Sequence, residues 1–277
     1  MSTLDFAGSK GKPVVVVGSL NMDLVMRTPR VPVGGETLHG HEFSTLPGGK
    51  GANQAVACAR LGAKVAMIGQ VGNDGFGTTL RDGLAADGID VNGVLQTSAV
   101  GTGVAMILVE DIGQNRIVLA AGANGALTPD DIDAQTALIG GAAMVVLQLE
   151  VPMPVVERAI AIAHNAGVPV LLNPGPAKPL AEALWSQIDI LIPNESEAEL
   201  LSGIAVTDAA SAFTAARVFR QRGVKCVLIT LGATGETLGH ARSYGAIILA
   251  GAIFATGFST SRSRNASRSN SLIPQPV

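Results

Sequence analysis

Val14-Val15-Val16-Val17-Gly18 decides the fold class. Four β-branched residues in a row, stopped by a glycine and without polar alternation, predict a strand buried on both faces, which belongs in the middle of a parallel sheet covered by helices. The chain continues Ser19-Leu20-Asn21-Met22-Asp23, so small polar side chains stand at the carboxyl end of that strand, where open α/β sheets bind their ligands. Asn21 and Asp23 are two apart and in extended backbone face one cleft, although the same three residues also suit a turn.

Outward from this strand the pattern is a regular alternation. Apolar runs at 65–68, 144–149, 168–172, 188–192 and 225–230 predict strands, and helical patterns fall at 77–87, 129–139, 154–166, 195–201 and 208–222, several closed by glycine. That rhythm predicts a doubly wound, mainly parallel sheet with helices on both faces. Two stretches interrupt it. Residues 24–43 are short extended pieces broken by Pro29, Pro32, Gly34-Gly35 and Gly40, and residues 103–120 form a hairpin around Asp111-Ile112-Gly113-Gln114. Together they predict one small antiparallel sheet, a lid that excludes water from the cleft and whose apolar surface suits a dimer contact.

Polar residues and glycines recur where the strands end: Glu150, Asn173-Pro174, Pro193-Asn194-Glu195 and Thr230-Leu231-Gly232-Ala233-Thr234-Gly235. The densest such stretch is Pro47-Gly48-Gly49-Lys50-Gly51-Ala52-Asn53-Gln54, which runs into a helix reading Ala52, Ala55, Val56, Ala59. Glycines allow close backbone approach, the helix start offers N–H groups and a positive dipole end, and Lys50 and Asn53 add side-chain donors. A tight turn before a packed, Ala-rich helix has the same pattern.

Bulk properties exclude several classes of function. A formal net charge of −3 gives no electrostatic case for nucleic acid, and the body of the chain has no basic cluster with interleaved aromatics. Cys58 and Cys226 have neither disulfide-framework nor zinc-ligand spacing and read as core residues of a reducing compartment. Residues 1–13 lack the charged and apolar regions of a secretory signal, and the longest apolar run, 245–258, is too short for a bilayer, so a cytoplasmic protein is expected. There is no GxxxxGK[ST]. Gly49-Lys50-Gly51 lacks the third glycine of GxGxxG and no strand is predicted immediately before it, which argues against a dinucleotide fold. The histidines form no hydrolase or HExxH arrangement, and His39 and His41 read as lid-surface residues.

Four segments, Gly18-Ser19-Leu20-Asn21-Met22-Asp23, Pro47 to Ala55, Pro193-Asn194-Glu195-Ser196-Glu197-Ala198-Glu199 and Ile229-Thr230-Leu231-Gly232, resemble the ribokinase-like (PfkB) carbohydrate kinases. Gln148-Leu149-Glu150 and Ala121-Gly122-Ala123-Asn124 add to the resemblance, which spans about residues 12–235. It implies ATP-dependent phosphorylation of a sugar, D-ribose to D-ribose 5-phosphate, with other sugars of the family (fructose, a sugar acid, a nucleoside) as alternatives. It implies that Asn21, Asp23, Gly49, Lys50, Asn53 and Glu150 hold the sugar. Asn194, Thr230, Gly232 and Gly235 would then border the nucleotide, Glu197 would meet magnesium, and a monovalent cation (K+) and a homodimer through the lid are implied as well.

One part of the family pattern is absent. The resemblance implies an Asp-Thr-x-Gly-Ala-Gly-Asp-like stretch downstream of Thr230-Leu231-Gly232, whose second aspartate is the general base and whose glycines form the anion hole. This chain has none: Asp208 is its last aspartate and Glu236 its last acid. Residues 237–277 hold seven serines and four arginines but no lysine, a composition expected of a disordered tail and of a frameshift or truncation product. The ribokinase-like domain is therefore expected over residues 12–236, with most of the K+ site missing. A non-catalytic sugar-binding remnant is the alternative of a different class.

Overall fold

The computed structural model describes residues 11–231 and, as backbone alone, a strand at 246–249. The valine run forms β1 (Val14–Val17), buried throughout. It lies inside an eight-stranded sheet with β4 (Val65–Gly72), β5 (Asp90–Thr97), β8 (Met144–Leu147), β9 (Val170–Leu172), β10 (Ile190–Leu191), β11 (Cys226–Thr230) and β12 (Ala246–Leu249). The order is β12-β11-β10-β9-β8-β1-β4-β5, with every neighbouring pair parallel.

Alternate valines serve the two faces. Val14 and Val16 pack with Ala52, Ala55 and Cys58 of α1 (Lys50–Arg60) and Leu80 and Leu84 of α2 (Gly75–Ala86). Val15 and Val17 join a larger core with α3 (Pro129–Asp133), α4 (Thr136–Gly140), α5 (Met153–Asn165), α6 (Glu195–Ser202) and α7 (Ala209–Gln221). Small residues such as Ala159, Ala163, Ala212 and Ala216 line that contact.

The strand order places the site. From β1 the chain moves to β4 and β5 on one side, then resumes at β8 on the other, so the order reverses between β1 and β8. Crossovers that diverge from that point leave a crevice at the carboxyl ends of the two strands. Gly18 to Asp23 and Gln148 to Glu150 emerge there.

The second sheet comprises β2 (Asn21–Thr28), β3 (Glu42–Gly48), β6 (Gly103–Glu110) and β7 (Asn115–Ala120), in the order β3-β2-β6-β7. Its outer pairs are antiparallel, as expected, but the central pair β2/β6 is parallel, so the lid is a mixed sheet. The cause is topological. Strands β2 and β6 continue upward from the parallel strands β1 and β5, so both leave the domain in the same direction, and their returning partners flank them.

Other boundaries also differ from expectation. The lid strands extend to Asn21 and Gly48, so a strand does stand directly before Gly49-Lys50-Gly51, although it is an antiparallel lid strand. Strand β5 is not among the expected strands, since Asp90, Asn92 and Gly93 break its apolar pattern. The helix expected over 129–139 is two helices, parted where Gln135 N–H turns to Ile132 O and Thr136 Oγ1 donates to Asp133 O. The strand expected over 188–192 shortens to two residues.

The lid root is fastened to α2 by Asp74. Its carboxylate caps the helix at Gly77 N and accepts from both Thr102 N and Thr102 Oγ1, each at 2.7–2.8 Å, where the chain passes from β5 into β6. Burial alone would push the Asp74 carboxyl up, but the hydrogen bonds from Thr102 and Gly77 outweigh it and hold it below the usual carboxylate range. Replacing Asp74 by Ala is expected to cost about 1–2 kcal/mol, measured by urea unfolding at neutral pH. Because the folded pKa is depressed, the stabilisation is present above the unfolded pKa and is lost as pH falls through the folded value. The gap between wild type and Asp74→Asn should therefore close in acid, and a gap independent of pH would contradict the assignment.

Candidate functional site

At the end of β1 the chain comes into backbone contact with the start of α1. A Cβ built on Gly51 would lie 2.7 Å from both Gly18 C and Ser19 N, so only glycine permits the approach. Gly49, the residue before the helix, has φ +94°, the left-handed region that favours glycine. Ser19, fully buried, ties the crossing together. Its hydroxyl donates to Glu150 Oε2 at 2.5 Å and accepts from Gly51 N at 3.3 Å, while its carbonyl accepts from Ala52 N at 2.9 Å.

These bonds correct one expectation about the glycine stretch. Lys50 N donates to Glu150 Oε2 at 3.2 Å and Asn53 N to Gly49 O at 2.9 Å, so the first four N–H groups of α1 all have partners within the chain. The helix start is no open anion hole. Its positive dipole end already faces a carboxylate, that of Glu150. Gln148, one residue beyond β8, donates through Nε2 to Gln54 Oε1 and fastens the same helix turn to the sheet.

Asn21 and Asp23 project from one face of β2, together with Gly48 and Leu46 of β3, their ladder partners. Gly48 makes room for Asp23, since a Cβ there would lie 2.3 Å from Oδ2. Burial, and then the charge of Glu150, push the Asp23 carboxyl above its ordinary range. Asn21, Asp23, Gly49, the Lys50 backbone and Glu150 thus form one polar cluster at the crevice between β1 and β8.

The Lys50 side chain runs toward the later strands. A Cβ on Gly175 would stand 3.2 Å from Lys50 Cε, 2.6 Å from Glu197 Oε1 and 3.4 Å from Asn173 Oδ1, so the three groups converge there. Asn53 is exposed and lines a groove of about 480 Å³ between α1 and α2, with Pro47, Val56, Leu80 and Asp87. Its side chain is not gathered into the cluster around Asp23.

Asn194 and Glu197 are paired with each other. Asn194 Oδ1 accepts from Glu197 N at 2.8 Å and Glu197 Oε2 accepts from Asn194 N at 3.0 Å, a reciprocal capping box that starts α6. Asn194 also bridges to Thr230, whose N–H donates to Pro193 O, so these residues adjoin across the ends of β10 and β11. Gly232 and Gly235 lie outside the described residues, as does the segment 237–277 apart from the backbone of β12, which pairs with β11 where a disordered tail was expected. Ser19, Asn124, Asn173 and Gly175 carried no assigned role in the sequence. Ser19 and Asn124 lay inside the quoted motifs, but their bonding partners are 131 and 104 residues away in the chain.

A family model described as pfkB family carbohydrate kinase matches residues 12–244. A ribokinase of Haemophilus influenzae is 46% identical over 224 residues, covering 81% of this chain and 73% of that protein. A ribokinase of Schizosaccharomyces pombe is 45% identical over 246 residues, covering 86% and 77%. Among solved structures, an Arabidopsis thaliana ribokinase complexed with ribose and ATP superposes with a TM-score of 0.75 at 34% identity, covering 79% of this chain and 72% of that one.

The Asp23 shift yields a measurable outcome. Glu150→Gln is expected to lower the Asp23 pKa toward the ordinary carboxylate value in a carbon-13 NMR titration, and no movement would refute the electrostatic coupling. Because the folded pKa is raised, the contribution of Asp23 to stability falls as pH rises from the unfolded value through the folded one. Asp23→Asn is accordingly expected to leave the melting temperature at pH 7 equal to or above that of wild type.

Proposed function

The chain belongs to the pfkB family of carbohydrate kinases, a ribokinase-like member by its relatives, and we propose that its sugar is D-ribose, with ATP as phosphoryl donor and the 5-hydroxyl as acceptor. The observation that carries this reading is the polar cluster at the sheet's switch point: a polyol needs donors and acceptors side by side, and Asn21, Asp23 and Glu150 supply them in a partly buried crevice. In this reading Gly49 and Lys50 complete the sugar pocket while Asn53, exposed in the groove between α1 and α2, stands outside it, and ATP lies over Asn194 and Thr230, with Gly232 and Gly235 as further nucleotide residues in the sequence. Lys50 reaches from the sugar side toward Glu197 and Asn173, which suits a donor placed between acceptor hydroxyl and phosphates.

The residues present fit magnesium. Glu197 keeps Oε1, which like Asn173 Oδ1 lies close to Gly175, after its other oxygen is taken by the capping box, and hard oxygen donors of this kind hold Mg2+ together with substrate phosphates and water. The metal, when bound, neutralises phosphate charge. Most of the K+ site implied by the family resemblance belongs to the downstream family pattern that this sequence lacks.

Transfer to a sugar hydroxyl needs a base, and no acid follows Glu236 in this sequence. Phosphoryl transfer rests on positioning and electrostatics, so turnover several orders of magnitude below that of a complete kinase is expected, with sugar binding retained. In a thermal-shift panel of pentoses and hexoses, ribose at a hundredfold over Kd should stabilise by about 2.7 kcal/mol, a rise of about 5–10 °C. A larger shift with fructose or a nucleoside would reassign the substrate. A coupled kinase assay at full family rates would refute the missing base.

We place the protein in the cytoplasm as a homodimer. Both cysteines are free, and among the described residues no helix is long and apolar enough to cross a membrane. The Asp23 face of the lid carries Leu46, Ile117 and Leu119, each about half exposed, an apolar surface that a second lid would cover. Ile117→Asp with Leu119→Asp should convert a dimer to a monomer by light scattering after gel filtration; a monomeric wild type would overturn the dimer.

A further inference from the structure

The backbone of Leu20 settles which way two side-chain amides point. Leu20 N donates to Asn124 Oδ1 at 2.8 Å, and Leu20 O accepts from Asn124 Nδ2 at 2.9 Å. A backbone N–H can only donate and a carbonyl can only accept, so the Asn124 amide has a single orientation. Its Nδ2 also donates to Asn21 Oδ1 at 2.8 Å. Facing a donor, Asn21 must turn its oxygen toward Asn124, which leaves Asn21 Nδ2 on the other side. That nitrogen has no partner among the described residues, and it is not among the side-chain atoms sealed without one. Asn124 itself is 1% exposed, and its turn is held by Ala123 N donating to Gly101 O at 2.8 Å. Gly103 leaves the space for the amide pair: a Cβ there would lie 2.3 Å from Asn124 Nδ2 and 2.4 Å from Asn21 Oδ1.

We propose that Asn124 is a positioning residue for the sugar site, fixing Asn21 so that it presents Nδ2 to the cleft and requires the sugar hydroxyl there to accept. Asp23, two residues along the same face, presents an acceptor. A hydroxyl set between them accepts from the amide and donates to the carboxylate, a pairing that neither a deoxy position nor a ring carbonyl reproduces. The sugar's identity rests on the function proposed above; the polarity of the two amides does not.

Two measurements test this. In nitrogen-15 spectra of the free protein, the Asn124 side-chain amide protons should be protected from exchange and those of Asn21 should exchange faster; the reverse pattern overturns the orientation whether or not ribose binds. By calorimetry, Asn124→Ala and Asn21→Ala should each weaken ribose binding by roughly tenfold or more, with the double variant no weaker than Asn21→Ala. Losses that multiply would show that Asn124 acts through general loosening and would overturn the positioning role. Should Asn124→Ala fail to fold, Gly103→Ala, which pries the pair apart while keeping both asparagines, takes its place in the same cycle. A wild type that binds no ribose but shows the predicted exchange pattern would refute the substrate and leave the amide polarity standing.

Discussion

The contact of Gly18 with Gly51, bridged by the Ser19 hydroxyl, is the constraint on which the rest of the site depends. It brings the end of the central strand against the first turn of α1 at a separation no side chain would allow. The lid strand β2 starts directly beyond this crossing, and β3 returns into it. Glu150 arrives from β8 and accepts from both Ser19 and the Lys50 backbone, so sheet, lid and helix are joined through one carboxylate. The same carboxylate occupies the positive end of the helix, and its charge helps to raise Asp23. The fold and the polar cluster at the crevice share these atoms.

Much of this was readable from residue order. The valine run implied a buried parallel strand, and the alternation after it implied helices on both faces, because burial on two sides removes the polar alternation of a surface strand. The positions of Asn21, Asp23 and Glu150 followed from the rule that ligands gather at strand carboxyl ends. The parallel pairing of β2 with β6 did not follow. Local pattern reports that a segment is extended but not which neighbour it meets, and here the direction is inherited from β1 and β5. Strand β5 leaves little trace in the sequence for a related reason: as a sheet edge it tolerates Asp90, Asn92 and Gly93, and its apolar signal is weak.

The site shows the same division. A motif names residue types, and Lys50 and Asn53 are three apart in one motif, yet the Lys50 side chain runs toward Gly175 and Asn53 lines the groove between α1 and α2. Asn124 was legible as part of a motif without a role, since its role is a bond to Leu20 across a sequence separation of 104 residues. Long-range hydrogen bonds of this kind leave no periodic trace in the chain.

Asn194 and Glu197 illustrate how one pair can answer to two requirements. Three residues apart at a helix start is the spacing of a capping box, and it is also a spacing that puts both side chains on one side of the helix. The bonds show the first use, with one Glu197 oxygen and the Asn194 oxygen spent on backbone N–H groups. What remains is Glu197 Oε1, next to Asn173 and the end of Lys50. A carboxylate whose other oxygen is already anchored presents a fixed acceptor, with little rotamer freedom left to lose when a cation or a phosphate-bound water meets it. The capping bond therefore orders the remaining oxygen in advance, and the stability of α6 and the orientation of Glu197 Oε1 depend on the same two side chains.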